Sequence, residues 1–335
     1  MIRFIVKRVV LIIPILIGLT VIMFVISRML PGDPVGLAAG PNATAAEIAA
    51  YAREFGLDRP LWVQYWDYAT GLLRGDFGVS IFTRREVAQD LATYLPATLE
   101  LVFAALALAI VLGIPAGLLA AVYRNRWPDY LSSVSAIAAI SMPRFFLGLL
   151  LQLFFAMWLM WLPLGGRFPI IWEPPTGITG FYTIDALLTG DFEGFAMACR
   201  HLALPAIAMS LSPLATIMRM MRASTLEVMQ QDYVTTARAL GLSQRLIIFK
   251  YVARNAISAT LTVIGLYFGW MLGGTVLVET VFDWPGLGLY ATQAIVAQDF
   301  MPVVSVAFVI GLLFVTANIV IDVLYGVINP KVRYE

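Results

Sequence analysis

The chain has 335 residues, 60% of them hydrophobic and only 13% charged, a composition too apolar for a soluble domain and suited to a bilayer. Its 22 basic and 21 acidic side chains nearly cancel, to a formal charge of +1, which argues against nucleic acid as a partner because that binding needs a net basic face. Cys199 is the single cysteine, so no disulfide can form within the chain.

Six stretches are long enough to cross a hydrocarbon core of about 30 Å: residues 9–27, 98–122, 131–161, 202–218, 257–279 and 302–325. The expected fold is therefore an all-α polytopic membrane protein with six transmembrane helices. The first stretch follows Arg3, Lys7 and Arg8 like a signal peptide, but it is longer than a signal core. No small-residue cleavage site follows it at Pro31-Gly32-Asp33-Pro34, so it is expected to persist as a helix.

The next 70 residues, 28–97, are far longer than a connector requires and should be folded. Thr44-Ala45-Ala46-Glu47 has capping-box spacing, and Gly56 is placed to stop the helix it opens. A second helix is expected over 61–73, with Trp62, Tyr65, Trp66 and Ala69 on one face. That face suits either the headgroup level of a membrane or packing against the other outer segments.

The third apolar stretch is too long. At about 1.5 Å per residue it would run about 46 Å, so it must tilt, protrude or break near Met142-Pro143, and a break or protrusion is the favoured reading. Residues 162–201 follow, rich in proline and glycine, as an irregular loop reaching away from the bilayer. Such a loop either contacts a delivery protein or merely connects.

Between the fourth and fifth stretches lies a basic, helix-patterned segment, 219–256. Asp232 to Ala239 and the residues after Ser243 read as two short helices broken at Gly241, with Ser243 available to cap the second. After the fifth stretch, Glu279-Thr280-Val281-Phe282-Asp283-Trp284-Pro285-Gly286-Leu287-Gly288 must turn, because its proline and glycines forbid a continuing helix. Placing the N-terminus inside gives the inner segments 13 basic and 4 acidic side chains, against 8 and 14 outside. Both termini are therefore expected on the cytoplasmic side.

The chain divides accordingly into three parts. Residues 1–27 form the first helix and its cytoplasmic start, 28–97 an outer region, and 98–335 a core domain containing the outer loop 162–201 and the inner segment 219–256.

Four groups of residues resemble those of the peptide and nickel branch of ABC importer permeases. The wording Asp232-Tyr233-Val234-Thr235-Thr236-Ala237-Arg238-Ala239-Leu240-Gly241 matches its coupling loop. Residues 279–288 match its Glu-Thr-x-Phe-x-Trp-Pro-Gly-Leu-Gly signature, and Asp322 to Arg333 its closing motif. The stretch Gly56-Leu57-Asp58-Arg59-Pro60-Leu61, with Gln64-Tyr65 and Gly75-Asp76-Phe77-Gly78-Val79-Ser80, looks like its N-terminal outer region. The general ABC importer motif places Glu-Ala-Ala six residues before the glycine, where this chain has Thr235, Thr236 and Ala237, so contacts made by that Glu do not transfer.

The resemblance implies a type I importer permease, closest to a dipeptide permease of the B type, in a bacterial inner membrane. It further implies a second permease chain, one or two ATP-binding cassette subunits, an extracytoplasmic peptide-binding protein and surrounding lipid. Asp232, Tyr233, Thr235, Thr236, Ala237, Arg238, Ala239 and Gly241 would couple to the ATPase. Ala237, Ala239 and Gly241 are small enough to approach a groove, and Asp232 and Arg238 are able to pair with partner charges. Nickel, glutathione, opines or longer peptides are alternative cargoes within the family. A channel or secondary carrier is the alternative class.

The chemistry an enzyme would need is not in the pattern. The only lysines are Lys7, Lys250 and Lys331, and none follows a glycine as a phosphate-cradling loop requires. ATP and magnesium are thus expected on partner subunits, with no cofactor in this chain. His201 is the single histidine, and neither an HExxH zinc motif nor a GxSxG elbow occurs, so no catalytic or metal-binding residue is expected.

Polar residues inside the spans are the candidates for a translocation path. Arg144 either binds a peptide carboxylate, pairs with Glu100 or marks a later cytoplasmic start. Ser141, Gln152, Ser210 and Ser212 either line a hydrated path or hold helices together. Glu100, Glu279 and Asp322 lie near span ends, where snorkelling or interfacial hydration is expected.

Overall fold

The computed structural model describes residues 2–29, 44–54 and 58–328. Pro31 to Pro34, Gly56, Leu57, the residues from Asn329 onward and the side chain of Asp322 lie outside the described residues. Within them the fold is helical, with no strand and a single isolated bridge, Val79 to Glu86. The helices are α1 (Ile2–Met29), α2 (Ala45–Glu54), α3 (Leu61–Leu73), α4 (Val87–Val122), α5 (Trp127–Ser141), α6 (Arg144–Trp158) and α7 (Tyr182–Thr189). They continue with α8 (Phe192–Val228), α9 (Asp232–Ala239), α10 (Gln244–Val281), α11 (Leu287–Val296) and α12 (Phe300–Ile328).

Among the described residues four helices are long and apolar enough to cross a membrane: α4, α8, α10 and the 300–321 part of α12. Helices α5 and α6 pass that test only as a pair, bent by 102°. The break lies where the sequence places it. Pro143 lacks an N–H and disfavours helical backbone in the residue before it, and Met142 is extended at φ −104°, ψ 134°. Three helices run 36, 37 and 38 residues, about 55 Å each, so their apolar stretches are the middles of longer rods.

The core forms where these rods touch. Helices α4 and α8 approach backbone to backbone at Gly117, where an added Cβ would strike the Met218 carbonyl and lie 2.8 Å from the Met221 Cβ. Small residues at such crossings give transmembrane helices their contact area. Leu101, Leu204, Met209, Met271, Leu272, Phe282 and Trp284 fill the interior between α4, α8 and α10.

Helix α3 packs on α1, and α2 opens on a side-chain cap. Thr44 and Glu47 form the expected reciprocal cap, with the Thr44 N–H donating to Glu47 Oε2 at 2.7 Å and the Glu47 N–H to the Thr44 hydroxyl at 3.4 Å. The aromatic face of α3 is split. Tyr65 meets Phe24 edge to face at 5.5 Å and shares a hydrogen bond of 3.1 Å with Thr20, while Trp62 and Trp66 stand 75% and 66% exposed.

The irregular loop expected over 162–201 is shorter, since 182–189 form α7 and α8 begins at Phe192, and it does not simply reach away from the bundle. Arg167 is buried and donates to Glu100 on α4 at 2.6 Å and to the Gly180 carbonyl, and its guanidinium lies 3.8 Å over the Tyr182 ring. The loop returns through Asp185, which accepts the backbone N–H groups of Ile178, Thr179 and Gly180.

Candidate functional site

The segment between α8 and α10 folds as a hook. Helix α9 ends in a Schellman arrangement: Gly241 stands at φ +74°, its N–H donates to the Arg238 carbonyl at 3.0 Å, and the Leu242 N–H to Ala237 at 3.2 Å. A glycine adopts that left-handed backbone without the Cβ penalty other residues meet. Ser243 then caps α10 by accepting the Leu246 N–H at 3.4 Å. The first short helix and the cap thus stand where the sequence reading put them, but the second is not separate, since from Gln244 it runs on into the 38-residue α10.

The hook has its own small core of Val234, Ala237, Ile247 and Val252, closed by Val228, Met229 and Leu242. This corrects the reading of Ala237. It follows Val234 by three positions, which puts both on one helical face, and at 5% exposure it packs the hook instead of meeting a groove. Asp232, Tyr233, Thr235, Thr236, Arg238, Ala239 and Gly241 are exposed. Tyr233 reaches back to α10, accepting from Asn255 Nδ2 at 3.1 Å.

Leu240, Leu246 and Phe249 were not singled out by sequence reasoning, yet they are 74%, 40% and 68% exposed. They lie beside Arg238, Arg245 and Lys250, all exposed. Leu240 follows Ala237 by three positions, so spacing alone would place it on the packed face, but it stands past the last turn of α9 as its C-cap and is exposed there.

The path candidates separate into two sets. Ser141 ends α5 and Arg144 begins α6, so both stand at the 102° break, with the Ser141 hydroxyl donating to the Ile137 carbonyl. Arg144 points toward α10, where a Cβ on Gly274 would lie 2.8 Å from its Nη1. Gln152 is buried and donates to the carbonyls of Leu164 at 2.7 Å and Val281 at 3.0 Å, so it clamps a loop to α10. Ser210 is buried within α8 and donates to Ile207. The Ser212 carbonyl accepts the Thr216 hydroxyl, which shares a hydrogen bond with Tyr267 on α10. Of these three Gln152 ties one element to another, whereas Ser210 bonds within α8 and the contact to α10 one turn past Ser212 is made by Thr216 and Tyr267.

Two carboxylates expected to snorkel are instead interior. Glu100, 4% exposed, pairs with Arg167 and accepts the Thr183 N–H and hydroxyl, which also removes it as a partner for Arg144. Glu279, 0% exposed, accepts the Thr98 hydroxyl at 2.7 Å and the N–H groups of Gly288 at 2.6 Å and Leu289 at 3.0 Å. It caps α11, whose first turn has free N–H groups and a positive end.

The rest of the 279–288 motif follows from this geometry. A Cβ on Gly286 would lie 2.5 Å from both the Glu279 carboxyl carbon and the Thr98 hydroxyl, and one on Gly288 2.6 Å from the backbone of Val276. Trp284 is buried and donates its indole N–H to the Ala97 carbonyl at 2.9 Å.

Residues 113–334 match the family described as the binding-protein-dependent transport system inner membrane component. Residues 1–102 match the N-terminal part of such membrane components. The chain is 45% identical over 315 residues to a probable D,D-dipeptide transport system permease protein of Escherichia coli K12, covering 94% of this chain and 93% of that one. It is 40% identical over the whole of both chains to a dipeptide transport system permease protein of Alkalihalophilus pseudofirmus. A glutathione transport system permease protein of Escherichia coli K12 is 37% identical, again over the whole of both chains.

Proposed function

The chain belongs to the binding-protein-dependent transport system inner membrane component family, and on that footing we propose that it is the B-type permease of an ATP-driven importer moving dipeptides or short peptides inward by alternating access. The dipeptide permeases among its full-length relatives support that cargo. The glutathione permease keeps another small peptide as the alternative.

The observation that carries the mechanism is the hook. A short helix, packed through Val234 and Ala237 on the first turns of α10, lies between two apolar rods of 37 and 38 residues and presents exposed apolar and basic side chains together. Such a surface suits a groove on an ATPase subunit, with Asp232, Tyr233, Thr235, Thr236, Arg238, Ala239, Leu240 and Gly241 at the contact. Rotation of the hook would be passed through α8 and α10 to the path between them and a second permease chain.

In this reading α1, the α5–α6 pair and the four long helices make six spans of a bacterial inner-membrane protein. Both termini and the hook face the cytoplasm, residues 28–97 and 162–201 face outward, and 98–335 form the core domain. ATP and magnesium sit on one or two cassette subunits. A peptide-binding protein docks outside, where Ile170 and Ile171 are 103% and 90% exposed.

The test is uptake of a labelled dipeptide in cells lacking only this chain, beside the restored strain, with nickel and a pentapeptide for comparison. Selective loss of dipeptide uptake is expected. Loss of another solute moves the cargo, and no loss at all removes the importer reading.

A further inference from the structure

We propose that Arg144 receives the free α-carboxylate of the peptide in transit, an inference that rests on the importer reading above. The first observation is an asymmetry among charges. Among the described residues Arg167 has Glu100 and Arg222 has Asp129, while Glu279 has three donors and Asp90 has Arg85 and Tyr290. Arg144 is half-buried and, among the described residues, has no carboxylate in reach and no hydrogen-bond acceptor for its guanidinium. An unmatched charge in such a place is costly unless something completes it.

The second observation is where that charge sits. A cavity of about 1000 Å³ opens between α1, α6, α10 and α12, and among the described residues Arg144 is the one charged group in a wall otherwise made of residues such as Ile15, Trp270, Leu277 and Phe314. Beside it, Gly273 offers open space, with nothing within 4 Å of where a Cβ would stand. The volume lies at the upper end for small-molecule sites and admits a short peptide.

The helix break adds to the charge. Pro143 occupies the N-cap of α6 and no side chain caps that end, so the partial positive charge of the first turn falls at the same place as the guanidinium. A guanidinium fork matches a carboxylate in two parallel hydrogen bonds. Every unmodified peptide carries one such carboxylate whatever its side chains, so the site selects for the terminus and leaves the sequence free. Its open side permits release, which a passage requires.

The test is binding of a labelled dipeptide to the purified, fully assembled transporter without its delivery protein, with the unlabelled acid or its C-terminal amide as competitor. Wild type should retain the peptide and be competed by the acid. The amide should compete about tenfold or more less well, the loss of a charge-assisted hydrogen bond. Arg144→Leu should remove the preference, and Arg144→Lys, which keeps the charge in place, should reduce it. The acid-to-amide ratio does not depend on how much protein folds.

Equal competition by acid and amide in wild type, an unchanged ratio in both variants, or no retention by wild type would overturn the assignment. Dipeptide uptake in cells that depends on the chain would meanwhile leave the importer reading standing. Uptake indifferent to the chain would remove that reading and this site with it.

Discussion

The Thr98 hydroxyl donates to Glu279 Oε1 at 2.7 Å and accepts the Leu287 N–H at the same distance, across 181 and 189 residues of chain. One side chain on α4 thus fastens the end of α10 to the start of α11. Thr98→Val should leave the Leu287 N–H and one Glu279 oxygen unpaired in the interior, costing about 1–3 kcal/mol. Thr98→Ser keeps the hydroxyl and should cost less. Thermal unfolding of the assembled protein measures both, and equal midpoints for the two variants would contradict the role.

How far such features can be read from a sequence depends on how local they are. The Thr44–Glu47 cap, the span of α3, the break at Pro143 and the turn at Gly241 each follow from a few neighbouring residues, and each was legible. Glu100, Gln152 and Glu279 were misread or left open. Their partners lie 67, 129 and 181 residues away, and position along a span tells nothing of what folds over it. The lengths of α4 and α8 were hidden for a related reason, since an apolar stretch marks the middle of a rod and not its polar ends. Ala237 shows the finer limit: its small size was evident, but only the packed face decides whether it serves the hook's core or a partner.

Asp129 and Arg222 make two hydrogen bonds of 2.6 and 2.9 Å, tying the start of α5 to the end of α8 just before the hook. The same carboxylate accepts the Asn125 N–H at 3.0 Å. A double-mutant cycle with Asp129→Ala and Arg222→Ala should give a coupling of about 0.5–3 kcal/mol. Additive losses would mean that the pair behaves as an ordinary surface contact.

Asp185 makes a pH-dependent fastening of the 178–189 loop. Burial raises its pKa, but the hydrogen bonds from Thr179, Gly180 and Ile178 outweigh it and leave the carboxyl below the ordinary value. A depressed folded pKa contributes stability that is present above the unfolded value, about 3.9. That contribution is lost as pH falls through the folded value. Unfolding midpoints of wild type should therefore drop more steeply than those of Asp185→Asn below about pH 4. Parallel curves would show that the loop is held by other contacts.

The hook offers the sharpest separation between folding and function. Gly241→Val forces a β-branched side chain into φ +74°, a conformation that costs a residue with a Cβ about 1–2 kcal/mol, although open space surrounds the site. Arg238→Glu changes only an exposed charge. Neither substitution touches a span, so on the proposed importer assembly both variants should insert and associate with the second permease chain. Peptide uptake should fall about tenfold or more, as expected when an interface charge is reversed against its partner, while ATP hydrolysis by the cassette subunits no longer follows added peptide. The two quantities are measured together in proteoliposomes holding the whole complex. Normal, peptide-stimulated hydrolysis with normal uptake in both variants would place the coupling contact elsewhere on the chain. Loss of assembly would instead make the hook a requirement for building the complex.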